Sequence, residues 1–242
     1  MIPLLTLALG LLGPAPRNGR ELIRAMHDRY RAWYRTVAFT QHNTATDSAG
    51  HEIHSTWREY AALPGKLRID FLPADSGQGI LFRGDTEYVF AHDTLSRALP
   101  LVHPLLVLGF DVYLQPPETT LAKLERLGFD LSVLHEDSWQ GRAVYVVGAA
   151  AGDRQHLQFW VDRDRLVFVR MLQPGRRDPS RVAETRFEDY REVGPAWLSA
   201  RVVFLADGRP VWEEEYVDIR TDLPLEQGLF DPRAFAAARP RD

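Results

Sequence analysis

Residues 98–114 read ALPLVHPLLVLGFDVYL, an apolar block in the middle of a chain that otherwise largely alternates polar and apolar residues. A membrane-spanning helix needs about 20 apolar residues in a row; this block is shorter and is interrupted by Pro104 and Asp111. It must therefore bury itself in protein, or in something the protein holds.

The flanks say what it is buried against. Upstream, TVAFTQHNTAT and HEIHSTWREYAA are separated by the turn signal DSAG and form a long hairpin. GKLRIDFLP alternates, with Leu67, Ile69 and Phe71 on one face and Lys66, Arg68 and Asp70 on the other. GILFRGDTEYVFA is a second hairpin, turning at Gly84-Asp85, so Arg83-Gly84-Asp85 is turn chemistry rather than an adhesion ligand. Downstream, PPETTLAKLERLG starts on Pro117, repeats Leu121, Leu124 and Leu127 at helical spacing and stops at Gly128. Seven further strand-like segments follow, from DLSVLHEDSW to PVWEEEYVDIRT, with turn signals at Gln140-Gly141, 162–164 and Asp207-Gly208. Before all of these, GRELIRAMHDRYRAWY places Leu22, Met26, Tyr30 and Trp33 on one helical face. The tail LPLEQGLFDPRAF ends the fold, and AAARPRD is expected to fray.

Eleven to thirteen strands, one N-terminal helix and a helical insertion near 99–128 make a mainly β (α+β) chain. The expected architecture is a single antiparallel sheet, strongly curved into an open half-barrel, spanning 17–242 without a linker. The apolar block supplies central lid or plug helices. The inward face is rich in aromatic residues: Phe39, Trp57, Phe71, Phe82, Tyr88, Phe90, Phe159, Phe168, Phe187, Phe204 and Tyr216. Two readings stand side by side. The barrel is a packed core filled by its helices, or it is a cavity for an apolar ligand under a lid carrying Leu101, Leu105, Leu106, Leu108 and Phe110.

Composition bounds the partners. The 242 residues carry a formal net charge of −4, and the basic residues are scattered among acids, so no nucleic-acid footprint is present. The apolar run Ile2–Leu12, followed by small residues to Pro16, reads as a signal peptide over 1–16 and as export, although no Lys or Arg precedes it. With no cysteine there is no disulfide, no thiolate metal site and no cysteine to carry an acyl anchor.

The order of LPGKLRIDF, GILFRGDTEYVF, LQFWVDRDRLVFVRM, RFEDYREVGPAWLSARVVF and LPLEQGLFDP over residues 20–235 resembles the LolA/LolB superfamily of periplasmic lipoprotein carriers and sensor domains. The resemblance implies a signal peptide, an N-terminal helix, a half-open barrel and helices that plug it. It also implies a periplasmic location and a lipid or lipoprotein acyl chain as ligand. In the lipoprotein carrier an arginine just before the proline of the third strand latches the lid; here that position is Leu63, so that latch is not carried over.

Chemistry beyond binding has little support in the residues. His51 and His54 are three apart, on opposite faces of a strand, and two ligands make no metal site. His103, alone in the apolar block, is expected to be satisfied by a backbone carbonyl. In WEEEYVD, Glu213 and Glu215 share one face and Glu214 takes the other, with Arg201 and Arg220 near enough for cross-strand pairing. No nucleophile–base constellation or phosphate-cradling glycine loop is present. The expectation is a monomeric binder without cofactor or metal, not an enzyme. The alternatives are an envelope sensor that docks a protein partner with its core full, or a hydrolase whose mark would be a buried, unpaired carboxylate.

Overall fold

Alternation with period two produces thirteen strands that join into one antiparallel sheet. The structure is a computed structural model, and it describes residues 15–30, 32–47, 49–176 and 178–238. The strands are β1 (Thr36–Thr46), β2 (Glu52–Ala62), β3 (Lys66–Phe71), β4 (Gly79–Arg83), β5 (Thr86–Ala91), β6 (Thr94–Pro100), β7 (Leu134–Trp139), β8 (Arg142–Val147), β9 (Gln158–Asp162), β10 (Phe168–Pro174), β11 (Val182–Val193), β12 (Ala196–Ala206) and β13 (Arg209–Thr221). Their spatial order is β6-β5-β4-β3-β2-β1-β13-β12-β11-β10-β9-β8-β7. Every neighbour but the β1–β13 pair is a sequence neighbour. The chain leaves one free edge at β6 and re-enters at the other, β7, so the sheet stays open. The segment bridging those edges holds the helices α2 (Pro104–Gly109) and α3 (Pro117–Arg126), while α1 (Gly19–Arg29) precedes the sheet. None of the described helices is long and apolar enough to cross a membrane. The signal-peptide reading falls on residues 1–14, which lie outside the described residues, as do 239–242 of the expected frayed end.

The concave face is covered unevenly. Helix α1 is capped by the Asn18 side chain, which accepts the Glu21 N–H at 2.9 Å, and it buries Leu22, Ile23 and Met26. It ends at Arg29, earlier than its apolar spacing suggests; Trp33, beyond its end, stacks on Tyr113 with centroids 3.9 Å apart. Together α1 and α3 fill the concave side of β8–β10, burying Phe159, Val161, Phe168 and Met171. Ala98–Pro100 belong to β6 rather than to the lid, because Leu99 pairs with Glu87 and continues the β5–β6 hairpin. Leu99 and Leu101 are consequently exposed.

The convex face carries a second, smaller core. The tail folds back in two 3-10 turns, Gln227–Phe230 and Pro232–Ala234, and sets Leu229, Phe230 and Phe235 against Ala38, Tyr60, Leu81 and Phe90. Phe235 stacks on Phe90 at 3.9 Å. Arg68 is fully buried there: its guanidinium meets Asp70 at 2.9 Å, donates to the Phe235 carbonyl at 3.0 Å and to the Ala238 carbonyl at 3.3 Å, and lies 4.1 Å over the Phe235 ring. A buried arginine is tolerable only when its donors are met in this way. Arg68→Ala leaves Asp70 without its partner and frees the tail. The expected loss is about 3–5 kcal/mol of stability, read from urea unfolding, with proteolytic clipping confined to residues beyond 222; an unchanged midpoint would contradict this account of the tail.

Candidate functional site: a cavity beneath the lid helix

Helix α2 begins on Pro104, whose fixed φ and missing N–H suit the first helical position. His103 caps it, but not by donating to a carbonyl as expected. Its Nδ1 accepts the Leu106 N–H at 3.2 Å, leaving Nε2 to carry the ring proton. Burial pushes the His103 pKa down to about 4, so the ring is neutral at physiological pH. Its ring edge packs on Phe82, 5.0 Å away. Gly109 ends α2 against Phe187, where a Cβ would sit 2.8 Å from Cε1, so the close approach requires glycine.

Two ties hold the helical segment to the sheet. Asp111 accepts the Gly65 N–H at 2.8 Å in the β2–β3 turn, and burial raises its pKa to about 6 despite that bond. Asp85, the last residue of the Arg83-Gly84-Asp85 turn, receives Lys123 at 3.1 Å and Arg126, both from α3. Leu63 is buried beside these contacts. Leu63 thus supplies packing, and the tie runs through Asp111.

Between α2 and the concave side of β1–β5 and β11–β13, a cavity of about 240 Å³ is left unfilled. Phe39, Trp57, Phe82, Leu105, Leu106, Phe110, Phe187, Phe204 and Tyr216 line it, together with Leu67, Ile69, Ile80 and Val202. The other residues of the aromatic and lid sets lie elsewhere. Phe71, the cross-strand partner of Trp57, stacks on it at 4.7 Å on the same face but does not line the cavity. Leu108, Phe159 and Phe168 are fully buried in the packed core, and Leu101 is exposed. Tyr88 and Phe90 are on the convex face under the tail. In β5 the alternation puts Glu87 and Val89 inward and the two aromatics outward, because the tail gives the outer face its own apolar cover. A larger groove of about 770 Å³ runs along the convex face beside residues 223–238. Arg58, Asp218, Arg220 and Glu226 line it, and side chains of both signs suit a solvated seam more than an apolar ligand.

Three acids that sequence reasoning did not place there line the cavity: Glu87, which pairs with Arg97 at 3.1 Å, and the more deeply buried Glu59 and Glu214. Glu214 accepts the Tyr216 hydroxyl at 2.7 Å and the Trp212 Nε1–H at 3.1 Å. Burial pushes its pKa up to about 7, and those bonds offset only part of the rise. Glu59 is buried with no hydrogen-bond donor among the described residues. Burial, and then the charge of Glu214, hold its pKa well above the usual carboxyl range. Beside them Gln41 Nε2 donates to Asn43 Oδ1 at 2.6 Å, while Asn43 Nδ2 is buried without an acceptor. The signal was present in the alternation: residues two apart in a strand share a face. Inward Trp57 and Tyr216 therefore imply inward Glu59 and Glu214. Glu213, on the other face, pairs with Arg201 at 2.6 Å as expected of an exposed acid. The histidines His51 and His54 stay at the surface, His51 against Asp47 in the turn and His54 near Glu52.

These acids give the fold a pH dependence of known sign. The unfolded chain releases a glutamate proton near its ordinary value of 4.5, whereas folded Glu214 keeps it to about pH 7. The folded state binds more protons across that window, so stability falls as pH rises from about 4.5 to about 7. Glu214→Gln removes the group and lowers the Glu59 pKa by removing its like-charged neighbour. Thermal unfolding at pH 5 and pH 8 should show the variant losing less stability between the two than the parent chain; an equal loss would mean that Glu214 ionises freely in the fold.

No family model matches the sequence, and no curated protein matches it. Solved structures do match its shape. A DUF1329 family protein from Desulfovibrio piger superposes with a TM-score of 0.59 at 15% identity, over 89% of this chain and 97% of that one. A putative outer membrane lipoprotein-sorting protein domain from Vibrio parahaemolyticus gives 0.61 at 13% identity, over 89% and 97%. A LolA superfamily protein from Nitrosomonas europaea gives 0.56 at 14% identity, over 88% and 97%. At these identities the likeness is one of fold, and the fold is the LolA-like open half-barrel.

Proposed function

We propose that this chain, a LolA-like half-barrel by fold, is an exported carrier that holds one apolar chain of a lipid or lipoprotein between its concave face and α2. The observation that carries the proposal is the cavity itself: a space walled mostly by aromatic and aliphatic side chains, with a few acids among them, beside a packed core. The space opens toward solvent, and an apolar chain that enters it exchanges contact with water for contact with aromatic and aliphatic walls. Each CH₂ of a ligand buried there contributes about 0.8 kcal/mol. The short α2 is the movable wall. It has only six residues and contributes Leu105 and Leu106 to the cavity, and a ligand longer than the cavity would displace it. Lid residues that fill part of the space when it is empty oppose binding, which keeps release possible. The lipoprotein-sorting description of the Vibrio parahaemolyticus relative supports this reading and the periplasmic location that goes with it. Among the described residues, Glu59 is the buried, unpaired carboxyl that marks the hydrolase alternative; binding is assigned because most of the lining around it is aromatic or aliphatic.

A second reading has one observation in its favour. The β6 edge is exposed along its whole length and shows Leu95 and Leu99, so a protein partner could add a strand there.

The test is to fill the cavity. Leu105→Trp places an indole in the space under α2. The neutral apolar dye N-phenyl-1-naphthylamine should bind the parent chain saturably with a rise in fluorescence. Leu105→Trp should weaken that binding at least tenfold while unfolding at the same temperature or higher. Absence of saturable dye binding, or equal binding by the variant, would contradict the carrier reading and favour the edge-docking one.

A further inference from the structure

The polar groups in the cavity constrain its ligand beyond being apolar. Glu87 lies at the wall and is engaged by Arg97 at 3.1 Å. His103 has committed Nδ1 to the backbone of α2. Glu214 accepts from Trp212 and Tyr216, and Gln41 also hydrogen-bonds to it. Glu59 has no such partner: it is 6% exposed, lines the cavity, and no donor among the described residues reaches it. Among the described residues no lysine or arginine lines the cavity. A buried carboxyl without a donor is costly, and natural interiors rarely leave one.

We propose that the cavity selects amphiphiles with a primary ammonium head, the head lodged between Glu59 and Glu214 and the alkyl chain among the aromatic residues under α2. This inference rests on the carrier reading and names its ligand class. An ammonium brings three donors and no acceptor, whereas a carboxylate is an acceptor with four lone-pair sites. It is also compact enough for a cavity of about 240 Å³ that must hold a chain as well. A positive charge restores the charged form of both acids, which burial and their mutual repulsion otherwise disfavour. Carboxylate and phosphate heads bring no positive charge to favour ionisation of the two acids, and they meet like charge wherever either acid is ionised. A hydroxyl head offers one donor and no charge. Because Gln41 is already bonded to Asn43, the head region is polar on the β1 side, while Phe39, Trp57 and Phe204 make the remainder apolar.

Three ten-carbon probes separate the possibilities: decylammonium, decanol and decanoate, each below its aggregation limit at pH 7.5, competing with the bound naphthylamine dye. The expected result is displacement by decylammonium at a concentration at least tenfold below that for decanol, with decanoate weakest. In Glu59→Gln and in Glu59→Gln/Glu214→Gln the amine-to-alcohol ratio should fall toward one. The ratio is taken within each variant, on protein that still unfolds cooperatively, and the single variant serves if the double one does not fold. Equal displacement by amine and alcohol in the parent chain, or a ratio that survives both substitutions, overturns the inference and leaves the carrier reading intact. Displacement by none of the three chains overturns the carrier reading itself.

Discussion

A thirteen-stranded antiparallel sheet that does not close on itself has two wide faces, and the backbone pleat makes both of them available for apolar side chains. Most features of the molecule follow from how those faces are covered. The tail covers part of the convex side, anchored through Arg68 and Phe235. Helices α1 and α3 cover the concave side of β8–β10 and pack it solid. The remaining concave surface falls to α2, a helix of six residues, and it is too small to fill the space. The cavity is the part of the inner face that the chain's own helices leave over.

That arithmetic also explains how the lid is held. Helix α2 has a packed side, where Leu108 and Val107 are buried in the core, and a cavity side with Leu105 and Leu106. Its start is capped internally, His103 accepting the Leu106 N–H, and just after its end Asp111 ties it to Gly65 of the sheet's β2–β3 turn. Helix α3 is fastened separately through Asp85. Glu59 and Glu214 add an energetic bias to the cavity: burial disfavours their ionised forms, and a ligand able to meet them would relieve the cost.

Much of the architecture was legible in the order of residues because alternation and turn chemistry are local. The Gly84-Asp85 turn, the β1–β2 hairpin and α3 with its Pro117 start lie where their sequences place them. Sidedness was harder. In TEYVFA the aromatics Tyr88 and Phe90 look like an inner face, yet they face outward, since the tail some 140 residues later supplies their apolar cover. Buried Arg68 was hidden for the same reason, its partners being carbonyls of residues 229–238. The block at 98–114 was rightly read as buried within protein for α2, but its first residues follow the period of β5 and remain in β6. In WEEEYVD the alternation separates Glu214 from Glu213 and Glu215, but the nearby Arg201 and Arg220 suggest cross-strand pairing for the cluster. Only the shared face of Glu214 and Tyr216 reveals that one of them is inside. What escaped was therefore set by distant parts of the chain, not by weak local patterns.

The most direct measurement is native mass spectrometry of the protein, exported and purified without detergent, before and after incubation with a single-chain amphiphile. The account predicts one bound molecule per chain, co-purified or taken up, and its loss when the space under α2 is filled by a larger side chain. A bare chain that takes up nothing under either condition would contradict it, and would make the apolar block core filler in a barrel that holds no ligand.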